Sequence, residues 1–337
     1  MPLNVSTGTL GDLAPAAGAF PANHAYFVKE FIEIANPELV YEQFGTPKPI
    51  PRNTSNEITF QKVLKLATLE GSPLTEGVTP TEQTFQMVRF SAAVSQYGGY
   101  ARVTDRLHEE SINGVTSEFN KRIGEQAGET MNKVVRDGLL GGANVRRRGG
   151  VATIDAITTA GVGADDFDFM FQAFKIEKVK AISPMTKGSP NTGTLPVREA
   201  YYMVCAVEAI PYLEALDDGL GNKFISVEKY AGQFMPRENE HGRFKNFVFI
   251  TDTESYLVDN AAATPQSINK ALVFGKGAYH YTTIANSDIE LIIKPLGSSG
   301  DLDALNQRSS IGWKAKKAAV IVQPTYMFRY EFSIGAA

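Results

Sequence analysis

An α+β fold is predicted by three features of the sequence. Residues 104–140 place apolar side chains at three- and four-residue steps, the period of a helix face. Residues 58–103 instead alternate apolar and polar side chains around a tip rich in Gly and Pro, the pattern of a β-hairpin. From residue 165 onward, short β-type runs are interleaved with short helical patterns. No internal repeat is present, and no low-complexity tract follows residue 57.

Residues 1–57 are rich in Ala, Pro, Gly, Ser, Thr and Asn, interrupted by a short helical pattern at Phe27, Phe31, Ile32 and Ile34. Pro37, Pro47, Pro49 and Pro51 follow. So long a stretch with little structure of its own is unusual inside a compact domain, so it reads as an arm that gains order by lying on something else. In the hairpin, an outward run from Ile58 to Leu69 meets Gly71, Pro73, Gly77 and Pro80. The return leg then alternates Val88, Phe90, Ala92 and Val94 with Arg89, Ser91, Ala93 and Ser95. A lone hairpin is marginal in water. It therefore either rests on a neighbouring molecule or folds back on its own core, and the pattern leaves both open.

The predicted helix carries Leu107, Ser111, Val115, Phe119, Ile123, Ala127, Met131 and Val134 or Val135 along one stripe. Its other side pairs Glu118 with Arg122, Lys121 with Glu125 and Glu129 with Lys133, each worth about 0.2–0.5 kcal/mol. Thr104 and Asp105 suit its N-cap, Glu109 and Glu110 its early turns, and Gly138, Gly141 and Gly142 its end. About 35 residues at 1.5 Å each make a rod of roughly 50 Å, which suggests construction more than catalysis.

Beyond it, Arg146, Arg147 and Arg148 form a basic loop, read either as a phosphate contact or as a solvated turn. Asp165 and Asp166 are expected to cap a helix through Phe167, Met170, Phe171 and Phe174, followed by a strand at Val179–Ile182. Lys187 to Pro196 reads as a linker. Tyr201 to Val207 is an expected buried strand and Ile210 to Leu216 a short helix. Further strands are expected at Arg243–Thr251, Ala271–Phe274, Ile289–Lys294, Ala318–Gln323 and Tyr326–Phe332. Gly98-Gly99 and Gly141-Gly142 are expected to act as flexible joins.

The chain has 337 residues, enough for two subdomains or one core with long excursions. Its 33 basic and 37 acidic residues give a net charge of −4, which argues against a protein whose main task is gripping nucleic acid. The single cysteine, Cys205, has no internal disulfide partner, so a reducing compartment fits. The start shows no basic-then-apolar secretory pattern, and no apolar run approaches 18 residues.

The search for chemistry is largely empty. His24, His108, His241 and His280 are scattered, none with a second His or Cys at metal-ligand spacing, so neither metal nor cofactor is expected. Gly275-Lys276-Gly277 lacks the glycine spacing and hydroxyl of a phosphate loop, and Gly297-Ser298-Ser299-Gly300 is not a nucleophile elbow. Asp217-Asp218 before Gly219 reads as a turn, and Cys205 as packing. No catalytic residue is assigned.

Several stretches nonetheless carry a resemblance. They are Arg52-Asn53-Thr54, Leu74 through Pro80, Gln96-Tyr97-Gly98-Gly99-Tyr100, Gly242-Arg243-Phe244 and Ala271 through Lys276. The clearest runs from Ile292 to Lys314 and includes Asp303-Ala304-Leu305-Asn306-Gln307-Arg308 and Ile311-Gly312-Trp313-Lys314. In this order they resemble the major capsid proteins of tailed double-stranded-DNA bacteriophages, closest to the branch of the coliphage N4 coat protein.

The resemblance implies the Hong Kong 97 type fold. Residues 1–57 would be its N-terminal arm, 58–103 its extended loop, and 104–195 a peripheral domain with spine helix 104–140. Residues 196–285 would be an axial domain, and 286–337 strands returning to the peripheral domain. Leu74, Glu76, Val88, Phe90, Phe27 and Phe31 are the expected inter-subunit contacts, and Arg146, Arg147 and Arg148 the expected DNA-facing loop. The implied function is self-assembly as pentamers and hexamers into an icosahedral shell around the genome, with no catalysis and no cofactor. Implied partners are a separate scaffolding protein, a portal protein, a cement or decoration protein and packaged DNA held non-specifically, with no membrane. The implied location is the virion capsid, assembled in the host bacterial cytoplasm. The competing readings are an encapsulin-like compartment and an intracellular enzyme.

Overall fold

The computed structural model describes residues 39–50, 57–66, 68–69, 73–74, 76–80, 82–106, 115–142, 144–184, 199–230, 237, 239–262, 264–283, 289–298, 303 and 305–336. Its strands are β1 (Thr46–Pro47), β2 (Glu57–Val63), β3 (Met87–Ala93), β4 (Ser95–Thr104) and β5 (Val145–Arg147). They continue with β6 (Tyr201–Ala206), β7 (Ile225–Ser226), β8 (Glu240–Phe244), β9 (Phe247–Asp252) and β10 (Leu257–Asp259). The last are β11 (Gln266–Phe274), β12 (Tyr279–Thr283), β13 (Ile289–Lys294), β14 (Arg308–Ile321) and β15 (Met327–Ala336). The helices are α1 (Val115–Leu140), α2 (Ala164–Ile176) and the short α3 (Ile210–Glu214).

The described residues fall into two compact units. The first draws on residues 39–43 and on those described within Gln96–Arg136 and Asn286–Lys317, the second on those within Phe44–Ser95, Asp137–Ala285 and Ala318–Ala337.

In the first unit, α1 lays its stripe on a sheet in which β14 is flanked by β4 and β13. Ile123, Ala127 and Met131 pack on Leu291, Ile311, Trp313 and Ala315, with Tyr97, Ala101, Ile289 and Ile293 around them. The Trp313 indole Nε1 donates to Gln126 Oε1 at 3.1 Å, which satisfies the one polar atom of that ring. Gly98 and Gly99 are not a flexible join. A Cβ on Gly98 would lie 2.7 Å from the Trp313 carbonyl oxygen, and one on Gly99 would lie 2.8 Å from Gln126 Oε1. Close approach to the β14 backbone is what requires glycine at Gly98, whereas at Gly99 the neighbour is the end of the Gln126 side chain. The first unit also holds a buried ion pair, Lys317 with Glu42, and the Tyr41 amide donates to Asn132 Oδ1 at 3.3 Å. On the wet side of α1, Arg122 pairs with Glu125 at 3.0 Å, an i,i+3 contact.

The second unit is built on a sheet of order β5-β15-β11-β6-β9-β8-β7, with β10 on the edge of β11. Tyr201–Ala206 is buried throughout, as expected for a central strand. α2 covers one face, Phe167, Met170 and Phe174 packing among Tyr201, Phe247, Phe249 and Tyr330. The Cys205 thiol is fully buried there, and desolvation, then the Asp252 charge, pushes its pKa up to about 12.

Four expectations need correction. Arg243–Thr251 is two strands: Lys245, at φ 50°, turns β8 into β9. Its ammonium is held by Asp168 at 2.9 Å and Asp218 at 3.1 Å, so a charged turn sits inside what reads as a hydrophobic run. Val179–Ile182 is not a strand; the Val179 amide instead closes the end of α2 on the Phe174 carbonyl. Gly163, not Asp165 or Asp166, occupies the N-cap of α2. The terminal strands are longer than expected, because β14 begins at Arg308 and takes in the Ile311–Lys314 motif.

Met131, with no exposed surface, is central to the first unit. Met131→Ala is expected to cost about 2–5 kcal/mol, read as a lower urea midpoint of Trp313 fluorescence. An unchanged midpoint would contradict the packing described. In the second unit, the Asp218 carboxyl sits well below the ordinary aspartate range. The Asn222 side-chain amide is the main cause, followed, against the opposing cost of burial, by the Leu220 amide and Lys245. A depressed folded-state pKa stabilises above the unfolded value of about 3.9 and is lost as pH falls below it. Asp218→Asn is therefore expected to flatten acid unfolding below about pH 4, checked by circular dichroism.

Candidate assembly surface

In the hairpin, β2 and β3 pair antiparallel with Phe60 opposite Phe90 and Lys62 opposite Val88. One further bond, from the Leu64 amide to the Gln86 carbonyl (2.8 Å), ends the described pairing. The legs then part around a cleft of about 340 Å³ lined by Leu64, Leu66 and Gln83. Alternation holds along β3: Val88, Phe90 and Ala92 turn inward, Met87, Arg89, Ser91 and Ala93 outward.

Of the two outcomes left open for the hairpin, folding back on its own core is met only near its base. Its base touches its own unit, where the Phe60 ring lies 5.2 Å from the His280 ring. His280 Nδ1 is buried without a partner. Burial, then the Lys48 charge, holds the imidazole pKa below its ordinary value, so a neutral ring faces Phe60. Its distal half does not pack: Leu69 is 60% exposed, Leu74 78%, Val78 63%, Phe85 65% and Met87 67%. A two-stranded ribbon offers such side chains no third layer.

Of the expected contact residues, Leu74 and Glu76 thus stand exposed near the tip, while Val88 and Phe90 are half-buried near the base. Phe27 and Phe31 lie outside the described residues. Sequence reasoning passed over Val78, Phe85 and Met87, although the same alternation that selected Val88 puts Met87 on the opposite face.

The basic loop is more occupied than its sequence suggests. Arg146 and Arg147 form β5, parallel to β15. The Arg146 guanidinium bonds Asp166 at 2.6 Å and lies 4.4 Å from the Phe169 ring centroid. Asp166 also accepts from the Gly149 amide and the Tyr330 hydroxyl, both at 3.0 Å. Arg147 bonds Glu331 at 2.8 Å, and Arg329 reaches the same carboxylate at 2.9 Å. Asp166 and Glu331 are each 1% exposed, so these arginines neutralise buried charge. Arg148 leaves its Nε buried without a partner. No spacing rule in the sequence connects residue 146 to 166 or 147 to 331.

Among the described residues, no group of three His, Cys, Asp or Glu could hold a metal, and no helix is long and apolar enough to cross a membrane. His241 faces Glu214 at 3.1 Å. The Asp217-Asp218 pair is a turn, its carboxylates accepting the Gly219 amide at 2.9 Å and the Leu220 amide at 2.8 Å.

A sheet-and-spine unit, a second sheet covered by a helix and a protruding ribbon together define the fold of tailed-phage capsid proteins, the Hong Kong 97 type. The chain is similar to the capsid protein of Ralstonia phage GP4, with a TM-score of 0.62 at 11% identity over 87% of this chain and 86% of that one. The capsid of cyanophage P-SCSP1u matches with a TM-score of 0.57 at 13% identity over 87% of each chain. The SrpI encapsulin of Synechococcus elongatus PCC 7942 matches with a TM-score of 0.53 at 8% identity, also over 87% of each. No protein-family model and no curated protein sequence matches the chain. The narrower resemblance to the N4 branch rests on the sequence motifs alone.

Removing one partner of a buried ion pair strands the other charge. Arg146→Ala is expected to lower stability by about 3 kcal/mol, measured by urea unfolding; an unchanged midpoint would show that Asp166 does not depend on it.

Proposed function

We propose that this chain is the building block of an icosahedral phage shell, assembling as pentamers and hexamers around packaged double-stranded DNA. The observation that carries this reading is the ribbon whose distal apolar residues have nowhere to pack in one copy, on a fold matched in phage capsids. Completion by neighbours suits a protein made in many identical copies, because weak contacts multiply in a closed shell. In this reading residues 1–57 are the arm, 58–103 the bridging loop, whose last strand β4 has rejoined the sheet of β14, 104–195 and 286–337 the peripheral part and 196–285 the axial part. Scaffold, portal and cement proteins are its assembly partners, and the host cytoplasm is where it assembles.

The loop of Arg146, Arg147 and Arg148 is the assigned contact with DNA. Because Arg146 and Arg147 also hold Asp166 and Glu331, only Arg148→Ala tests that assignment without stranding a buried acid. Reduced DNA retention in particles supports it; unchanged retention removes it.

The encapsulin match supports a second reading, a compartment enclosing protein cargo. Particle contents separate the two. Purified full-length chain, with its scaffold where needed, is expected to elute as megadalton particles with an icosahedral outline in electron micrographs. Elution near 36.7 kDa under all assembly conditions would remove both shell readings.

A further inference from the structure

We propose that the free edge of β13 pairs with the β13 edge of a second copy of this chain, antiparallel across a two-fold axis at Ile292. The inference rests on the shell reading, and it adds a contact that joins a copy in one ring to a copy in the next.

β13 is the last strand of its sheet: among the described residues it pairs with β14 alone. That pairing is regular, from Ile289 opposite Ala315 through Lys294 opposite Ser310, with no shift of register. A regular strand leaves every second N–H and C=O on its far side without a ladder partner. Proteins that keep such an edge single blunt it with proline, a bulge or a run of like charge. Ile289-Glu290-Leu291-Ile292-Ile293-Lys294 has none of these.

The side chains of β13 divide between two faces. Leu291 is buried against α1, with Ile289 and Ile293 packed beside it. Glu290, Ile292 and Lys294 lie on the other face, Glu290 and Lys294 exposed. Ile292 and Lys294 border a trough of about 420 Å³ with Gly98 and Gly312 in its floor and Tyr100 standing over it. The trough belongs to the face of the sheet, so pairing at the edge leaves it open.

Charge selects both the occupant and the register. Two copies paired across an axis normal to the sheet keep both α1 helices on one side, so opposed residues must belong to the same face. Centring on Ile292 sets Glu290 opposite Lys294 at both ends, Leu291 opposite Ile293, and Ile292 opposite itself. Centring on Leu291 or Ile293 sets a charge against Ile292 instead. Glu290 already meets Lys314 of its own chain at 3.1 Å, and a carboxylate has room for a second cation. Among the described residues Lys294 has no ion-pair partner. Opposite charges placed evenly about one residue are what self-pairing needs and what a merely protected edge lacks. The contact is isologous, the same patch on both copies. Head-to-tail contacts close a ring, and a two-fold contact is then what ties one ring to the next. A five-residue pairing is small, and it suffices only where a shell repeats it.

Charge reversal in the full-length chain tests this, with particle yield followed by sedimentation and electron microscopy and folding by circular dichroism. Glu290→Lys and Lys294→Glu, each alone, set like charges together at both ends of every contact and are expected to cut yield about tenfold. The chain carrying both changes is expected to recover it. That variant still lacks the ion pair with Lys314, so recovery cannot come from there. Ile292→Cys reads the register directly, because opposed residues lie about 4.5–5.5 Å apart, within disulfide reach. Particles of it under mild oxidant are expected to give linked dimers and no longer ladder. Lys294→Cys stands about 13 Å from its own image and is expected to give none. Cys205 is buried and takes no part. Full yield from either single reversal, no recovery in the double variant, or no dimer from Ile292→Cys overturns the pairing and leaves the shell reading standing. So do dimers from Lys294→Cys. Failure of the unsubstituted chain to form particles under any condition removes the shell reading and this contact with it.

Discussion

A two-stranded ribbon gives each side chain a cross-strand partner but no layer above or below, so apolar residues along it stay wet until another surface arrives. In this protein that constraint separates the base of the hairpin from its distal half. Phe60 and Phe90 oppose each other near the base, and Phe60 has His280 to lean on. Leu74, Val78 and Phe85 have nothing comparable. Elsewhere among the described residues two cores form, and the buried carboxylates of Asp166 and Glu331 are matched by arginines.

The buried ion pairs show how that finish is obtained. Asp166 and Glu331 lie where ionised carboxylates are costly, and three arginines plus the Tyr330 hydroxyl surround them. A run of arginines that reads as a surface loop becomes the fastening between β5, β15 and α2. The same cationic side chains are thereby less free for any external anion.

The glycines teach a similar lesson. Gly98, Gly99 and Gly312 look like breaks in strand patterns, yet each lies where a Cβ would strike a neighbour. Their absence of side chain brings β4 onto β14 and under Gln126, and it leaves the trough beside Tyr100. Flexibility and close approach call for the same residue, and only the fold distinguishes them.

Periodicity was enough to read the long helix over Val115–Leu140, the hairpin, the buried strand at Tyr201–Ala206 and the strand at Ile289–Lys294, because each depends on which residues share a face along a local repeat. The Gly- and Pro-rich turn around Leu74 and Glu76 was legible for the same reason, its signals being adjacent in sequence, whereas its exposure was not. Arg146 with Asp166, Lys245 with Asp168 and Asp218, and Tyr100 standing over Gly312 were not, since these pairings join positions that chain spacing leaves unrelated. Local geometry repeats along the sequence and can be counted there. Which distant charge meets which, and which glycine is crowded, is decided only when the strands come together.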